Sequence, residues 1–129
     1  MFKDIKIALE TRLSTLSGST PIAYENVRYK PILGTMYIRP TLLYASSTLL
    51  DLNNVQENPG IFQVDVLYPS NIGMINLLTK MDDIEDHFKG QVLTSGAVKV
   101  YIGSISANRF VQNDVWIVGT VQINFKSYN

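Results

Sequence analysis

The fold is decided by the stretch Gly60-Ile61-Phe62-Gln63-Val64-Asp65-Val66-Leu67-Tyr68-Pro69. Its apolar residues alternate along the chain and fall on one face: Phe62, Val64, Val66 and Tyr68. Alternation of this kind predicts a strand over residues 61–68 with one buried face. The outward positions Gln63 and Asp65 carry no cofactor or catalytic signature. The strongest signal in the sequence is therefore architectural.

Two amphipathic helices are predicted, one at the N-terminus and one directly after this strand. The apolar stripe of the first helix consists of Phe2, Ile5, Leu9, Leu13 and Leu16, and the helix is predicted to end at Ser17-Gly18. The stripe of the second helix consists of Met74, Leu77, Leu78, Met81, Ile84 and Phe88. Ser70 or Asn71 is the predicted N-cap of the second helix, and Gly90 is its predicted stop.

The remaining strands are predicted to form two hairpins. Residues 22–29 and 36–43 give the first, and Pro40 marks its second strand as a sheet edge or a bulge because proline cannot donate to a ladder. Residues 98–102 and 115–125 give the second, with turn residues at 106–109 and 112–114.

These elements predict an α+β fold in a single domain over residues 1–129. Short connections favour antiparallel pairing, since a parallel crossover needs a dozen or more residues. We therefore expect a mostly antiparallel sheet of about five strands with two helices packed on it. The connection through the second helix is long enough for a crossover, so the strands on either side of that helix could form one parallel pair.

Residues 45–59 form a long polar segment that carries four apolar residues, Leu49, Leu50, Leu52 and Val55. A loop of this length inside a compact domain is usually functional or disordered. Because a simple linker would not carry leucines, we predict an arm that docks on another chain through these four side chains.

Composition excludes several classes of function. The chain has 129 residues and no cysteine, which removes disulfides, thiolate nucleophiles and zinc–sulfur sites. Its 11 basic and 11 acidic residues balance, whereas a protein that wraps nucleic-acid phosphates needs clustered Lys and Arg. No apolar signal core or membrane-length apolar run is visible, so we expect neither secretion by that route nor a membrane partner.

Candidate catalytic and metal sites are weak. His87 lies four residues after Asp83, a spacing that could place both on one metal ion, but a solvated helical face is the better interpretation because no second histidine exists. No nucleophile is paired with His87, and no glycine-rich phosphate loop is present. Nothing singles out Asp65 with Asp51 as paired carboxylates. We predict no catalytic residues, no metal and no cofactor.

The seven tyrosines allow two interpretations. With Arg28 and Arg39 interleaved, they could stack on nucleic-acid bases. Tyrosines in strands are more often packing residues, and the balanced charge favours that interpretation or a protein interface.

The chain as a whole resembles the tail-terminator-like proteins of long-tailed bacteriophages and prophages. The resemblance lies in five segments: residues 5–13, 21–27, 34–39 and 60–66, and the helix end Phe88-Lys89-Gly90. It covers nearly the full length and keeps the order of the segments. Pro40 interrupts a stretch that the family usually continues after the position of Arg39.

The resemblance implies a structural virion protein rather than an enzyme. Such proteins form a ring, typically of six copies, that caps the finished tail tube, stops its growth and presents a surface to the head–tail connector protein. DNA then only passes through the ring lumen, and the protein lies at the head-proximal end of the tail after assembly in the host cytoplasm. The alternatives are another neck or head-completion protein, and a small-molecule-binding or hydrolytic domain near His87.

Four residues are predicted to contact the tail tube: Tyr37, Arg39, Arg109 and Phe110. Arginine and aromatic residues dominate interface hot spots, and Phe110 is an apolar residue in a polar hairpin.

Overall fold

A long antiparallel sheet with helices on one face organises the chain, as a computed structural model shows for residues 1–16, 18–50, 55–108 and 110–128. The helices within these ranges are α1 (Phe2–Ser14) and α2 (Ile75–Phe88). The strands are β1 (Tyr37–Tyr44), β2 (Thr48–Leu49), β3 (Gln56–Pro69), β4 (Val92–Ser95), β5 (Val98–Ala107), β6 (Val111–Gln112) and β7 (Trp116–Tyr128).

The sheet has the order β1-β3-β7-β5-β4, with β2 paired to β3 and β6 paired to β7. All of these strand pairs are antiparallel, which confirms the predicted α+β class. The parallel pair suggested for the strands flanking α2 is wrong. Strand β7 lies between β3 and β5 and pairs with both, so β3 and β5 are not neighbours in the sheet.

The core lies between the helices and the inner face of the sheet. The inward residues of β3 that the alternation predicted, Phe62, Val64 and Val66, are fully buried. They meet Ile5, Leu9 and Leu13 of α1 and Leu77, Ile84 and Phe88 of α2. Each such side chain contributes about 1.5–3 kcal/mol by leaving water. The helical stripes and the strand alternation therefore point to one common core.

The helix ends differ in part from the prediction. Helix α1 ends at Ser14, earlier than expected, and Ser17 lies outside the described residues. Met74 is the N-cap of α2, so the predicted caps Ser70 and Asn71 are wrong. Ser70 is bonded to the β6–β7 turn instead, and Asn71 adopts a left-handed φ of 68° that is not the extended geometry typical of an N-cap. Gly90 follows α2 with a φ of 71°, as its role as stop requires.

The strand predicted at residues 22–29 is wrong, because only Ile22 forms a bridge, and that bridge to Ile38 is parallel. Asn26, with a φ of 58°, turns the chain away from the sheet. Of the two alternatives predicted for Pro40, an edge strand or a bulge, the edge strand is confirmed, since β1 lies at the end of the strand order and pairs with β3.

The open side of β1 is closed by the loop that precedes it. The N–H of Ile38 donates to the Pro21 carbonyl (3.0 Å), and the Ala23 N–H donates back to the Ile38 carbonyl (2.8 Å). Two positions further, Pro40 has no N–H. The next outward N–H, that of Leu42, donates to the Glu25 carboxylate at 2.9 Å. The β1 edge therefore offers no free row of donors to another strand.

The predicted second hairpin is larger than the sequence indicated. Strand β4 was missed, and β5 continues through Ala107, so part of the turn predicted at residues 106–109 is strand. The other predicted turn exists: Asn113 Oδ1 accepts the N–H groups of Val115 (2.8 Å) and Trp116 (2.7 Å). Strand β4 was missed because its short, mixed pattern, Val92-Leu93-Thr94-Ser95, carries little periodicity.

We expect Gly60→Ala to destabilise the fold by about 1–3 kcal/mol, because there is no room for a side chain at this position. A Cβ on Gly60 would lie 2.5 Å from Phe125 Cζ and 2.6 Å from the Leu43 carbonyl oxygen. Urea unfolding measures the loss. The control is Gly103→Ala, whose Cβ would lie 3.4 Å from its nearest neighbour, an ordinary contact. Equal stability of the two variants would contradict the close packing at Gly60.

We also expect Glu25 to make stability depend on pH. Burial alone would raise the pKa of Glu25, but the Leu42 N–H and the Lys6 ammonium outweigh it and hold this pKa below its usual value. Such a carboxylate stabilises the fold at pH values above its unfolded pKa, and this stability is lost as pH falls through the lower folded pKa.

The Glu25→Gln variant should therefore be less stable than the parent at pH 7, and the difference should shrink at pH 3. Thermal unfolding at both pH values measures this. Asp82→Asn, at an exposed residue without an ion pair in the described part of the chain, is the matched control. A Glu25→Gln variant that follows the parent at both pH values would contradict the role of this carboxylate.

Candidate functional site

The predicted arm is a hairpin extension of the sheet. Thr48 pairs with Glu57, and the Leu50 N–H donates to the Val55 carbonyl at 2.8 Å. Residues 56–59, predicted as part of the arm, belong to β3. Leu52 lies outside the described residues. Leu49 is 62 % exposed and Leu50 49 %, so both predicted contact residues lie on the surface. Their docking on another chain stays a prediction.

The opposite end of the sheet carries an exposed apolar surface that the sequence reasoning missed. Tyr37 pairs with Leu67, and Leu67 pairs with Val118, so β1 begins, β3 ends and β7 begins at one end. Three segments at this end, residues 31–36, 70–75 and 110–115, form what we call the apolar rim; they are turns together with the first residue of α2 and the short strand β6. Its exposed aliphatic side chains are Ile32, Leu33, Ile72, Ile75, Val111 and Val115.

The apolar rim is built from fixed turns. Ser70 donates its N–H to the Val115 carbonyl (3.0 Å) and its hydroxyl to the Asn113 carbonyl (2.7 Å), which binds two of the three turns together. Leu33, in the third turn, is 79 % exposed, and Ile75 is 76 % exposed. Exposed apolar groups gathered at one end of a domain typically mark an interaction surface. The signal in the sequence was the isoleucines and leucines placed inside turns.

Tyr37, one of the predicted tail-tube contacts, lies at this end but is buried. Its ring packs against Tyr29 (5.0 Å between ring centres) and Trp116 (5.3 Å), and the residue is only 6 % exposed. Tyr37 therefore supports the base of the apolar rim and offers little side-chain area to a partner.

Phe110, another predicted contact, is partly covered. It is 37 % exposed, and a Cβ on Gly119 would lie 2.9 Å from its ring and 2.6 Å from Met81 Sδ. The missing side chain of Gly119 thus makes room for Phe110 on the inner face. Arg109 lies outside the described residues.

Arg39, the fourth predicted contact, belongs to a polar layer across the outer sheet face. Its guanidinium pairs with Asp65 Oδ2 at 3.0 Å, while Asp65 Oδ1 accepts the Thr120 hydroxyl at 2.7 Å. Asp65 is 5 % exposed, whereas the Arg39 side chain is 48 % exposed. A buried carboxylate needs such partners, and here both of its oxygens are engaged. Asp65 is therefore a structural anchor, which leaves the Arg39 guanidinium partly open to solvent.

His87 links the C-terminal ends of the two helices. Its Nε2 lies 2.8 Å from the Arg12 carbonyl and 2.9 Å from Thr15 Oγ1. In return, the Arg12 guanidinium donates to the His87 carbonyl at 2.7 and 2.9 Å. The Nε2 atom of the imidazole is therefore occupied by contacts within the protein. Among the described residues, no group of three or more His, Asp or Glu side chains is placed to hold a metal ion.

Comparison with known proteins identifies the family. The sequence matches the family described as phage tail terminator protein over residues 4–125. The chain belongs to this family. Its members are structural proteins of phage tails, so the resemblance seen in the sequence is confirmed. In the described ranges, neither helix combines the length and the apolar run that spanning a bilayer would need.

The fold is also found in a solved structure whose name states no function. The two superpose with a TM-score of 0.78 over 95 % of this chain and 92 % of the other, at 22 % sequence identity. Identity this low supports the fold alone. No protein of curated function matches the chain.

We expect His87→Ala to cost about 0.5–1.5 kcal/mol of stability, because one hydrogen bond to the Arg12 carbonyl is lost, and to leave tail-tube capping unchanged. Urea unfolding and a tube-capping assay measure the two effects. The variant His87→Gln keeps a donor and should recover part of the stability. Loss of capping in a folded His87→Ala protein, restored by added metal, would contradict this structural role.

Proposed function

We propose that the chain forms a ring, of six copies, that caps the head-proximal end of the tail tube, terminates tail growth and offers the head–tail connector protein its joining surface. Membership of the tail terminator family supports the role. The observation that carries it is the difference between the two sheet ends. One end presents fixed aliphatic turns, and the other presents the arm with Leu49 and Leu50.

The apolar rim is the surface that we assign to the tail tube. A terminator must bind the tube end on one face and refuse further tube subunits on the other, so its two faces must differ in chemistry. The rim supplies exposed aliphatic side chains, and Phe110 belongs to its 110–115 segment. Arg39 and Arg109 remain proposed tube contacts, the first through its half-open guanidinium.

The arm is the proposed clasp between copies. Leu49 and Leu50 are exposed to water in a single chain, and each contributes about 1.5–3 kcal/mol when a neighbour buries it, before the cost of ordering. Of the predicted oligomer contacts, Leu49, Leu50 and Val55 belong to this hairpin, and Leu52 lies outside the described residues.

A catalytic role has less support. The carboxylate of Asp65 and the Nε2 atom of His87 are both engaged within the protein, which disfavours a hydrolytic site near His87. The balance of 11 basic and 11 acidic residues favours a lumen through which DNA passes without tight binding. We place the protein in the host cytoplasm during assembly and at the head-proximal end of the tail in the virion.

The double variant Ile72→Ser, Ile75→Ser should keep the ring and weaken tube capping roughly a hundredfold, because two exposed side chains no longer gain by burial. Light scattering gives the mass of the particle, and electron microscopy of tubes assembled with the variant gives their length. The control is Val27→Ser, at a residue that is 62 % exposed but outside the apolar rim.

Three outcomes separate the parts of the proposal. Overlong tubes with an intact ring support the rim as the tube contact. Tubes of normal length with the double variant place the contact elsewhere. A parent protein that stays at 14.5 kDa in solution and on tube ends contradicts the ring.

A further inference from the structure

The second lateral edge of the sheet, strand β4, is open. The Ile102 N–H donates to the Gln91 carbonyl, so in an antiparallel ladder Gln91 and Leu93 face β5. The N–H and C=O groups of Val92 and Thr94 then point away from the sheet. Within the described chain, no loop or side chain bonds to them. The β1 edge is closed by its loop, whereas the β4 edge is ready for pairing.

The arm presents the complementary groups. Because the Leu50 N–H bonds to Val55, Thr48 and Leu50 face β3 in this hairpin. The N–H and C=O groups of Leu49, the residue between them, point outward. In the described part of the arm, Leu49 thus offers a free donor and a free acceptor on the lateral edge of the sheet opposite to β4.

The two edges have the same direction and nearly the same height. Four antiparallel pairings separate β2 from β4, so the two strands run parallel to each other. Successive cross-strand pairs form rows across the sheet. One row runs from Leu93 through Val100 and Ser127 to Asn58 of β3. Leu49 lies in the row of Gln56, its partner on β3. These rows are two positions apart on β3. When copies are placed side by side around a ring axis, the arm of one therefore meets β4 of the next in parallel orientation.

The hydrogen-bond pattern fits this orientation. In a parallel pair, one residue donates to the residue before its opposite partner and accepts from the residue after it. With Leu49 opposite Leu93, the Leu49 N–H reaches the Val92 carbonyl and the Thr94 N–H reaches the Leu49 carbonyl. These are the backbone groups that both edges leave free.

The side chains fit as well. Leu49 pairs with Gln56, which lies on the same face of β3 as the core residues Phe62 and Val64, so Leu49 is on the inner face. Leu93 is also on the inner face. Beside it, a groove of about 440 Å³ runs between α1 and β4, and its lining includes Ile7 (45 % exposed) and Val92 (52 % exposed).

We propose that the arm of each copy adds Leu49 to the β4 edge of the next copy as a short parallel strand, with the Leu49 side chain in the groove beside Ile7. The inference rests on the proposed ring and names its subunit contact. The contact is head-to-tail, because arm and edge are different surfaces of one chain, and such contacts close into rings when the rotation allows.

Removing the Thr94 N–H tests the pairing. Thr94→Pro deletes an outward donor that the monomer does not use, so the fold should remain while association weakens on the order of tenfold or more. Thr94→Val keeps the N–H and is the matched control, which should assemble like the parent. Light scattering over a dilution series measures both. A Thr94→Pro protein that is folded and assembles like Thr94→Val would overturn the proposal.

Disulfide trapping gives a test that does not depend on the proline variant. The chain has no cysteine, so an engineered pair has no competitors. In the proposed register Thr48 lies opposite Val92, and Thr48→Cys with Val92→Cys should give a ladder of covalent oligomers up to the ring on oxidation. Thr48→Cys with Ser106→Cys, on the outer face of β5, is the control pair.

The results distinguish the contact from the ring. A ladder with the first pair and none with the control supports the proposal. A ring of normal mass that yields no ladder overturns the arm–β4 contact and leaves the proposed function standing. A monomer in every preparation, the parent included, contradicts both.

Discussion

The pairing of β3 with β7 is the constraint on which the rest of the structure depends. It runs without a register shift from Glu57–Tyr128 to Pro69–Trp116. Each pleat sends Phe62, Val64 and Val66 to the helices and Asp65 to the opposite face, so the ladder fixes the core and the polar layer together. It also fixes the two ends. The arm continues β3 beyond one end, and the turns of the apolar rim follow from the other.

The two lateral edges of this sheet are treated in opposite ways. The β1 edge is closed by the loop at Pro21 and Ala23, by a proline and by the Glu25 carboxylate, which are typical devices against unwanted pairing. The β4 edge has none of these among the described residues. With one edge blocked and one open, β4 is the lateral edge that can accept a strand from another chain.

The sequence was sufficient where a pattern is repeated over many residues. The stripe of α2 and the alternation in β3 predicted their elements, the inner face and the α+β class. Short or interrupted elements failed, because four residues of β4 carry too little periodicity and residues 22–29 are rich in β-forming residues without forming a strand. Strand propensity could not show that the Glu25 carboxylate accepts a hydrogen bond from the Leu42 N–H, since that contact depends on the tertiary path of the loop.

The candidate surfaces divide in the same way. The arm was predictable because leucines in a polar segment are a local signal. The apolar rim was not, since residues 31–36, 70–75 and 110–115 are far apart in sequence and only the register of β1, β3 and β7 brings them to one end. Tyr37 shows the reverse case. Its aromatic ring suggested a contact, and only the packing of Tyr29 and Trp116 shows that it is covered.

The unbroken length of β3 has a mechanical consequence. Its 14 residues span roughly 45 Å from the root of the arm to the edge of the apolar rim. A paired central strand is stiff, so it acts as a strut rather than a hinge. In the proposed ring, a tilt forced on the rim by an uneven tube end would move the arm root by a similar angle. The same strand would then couple the geometry of the ring to the flatness of the tube end.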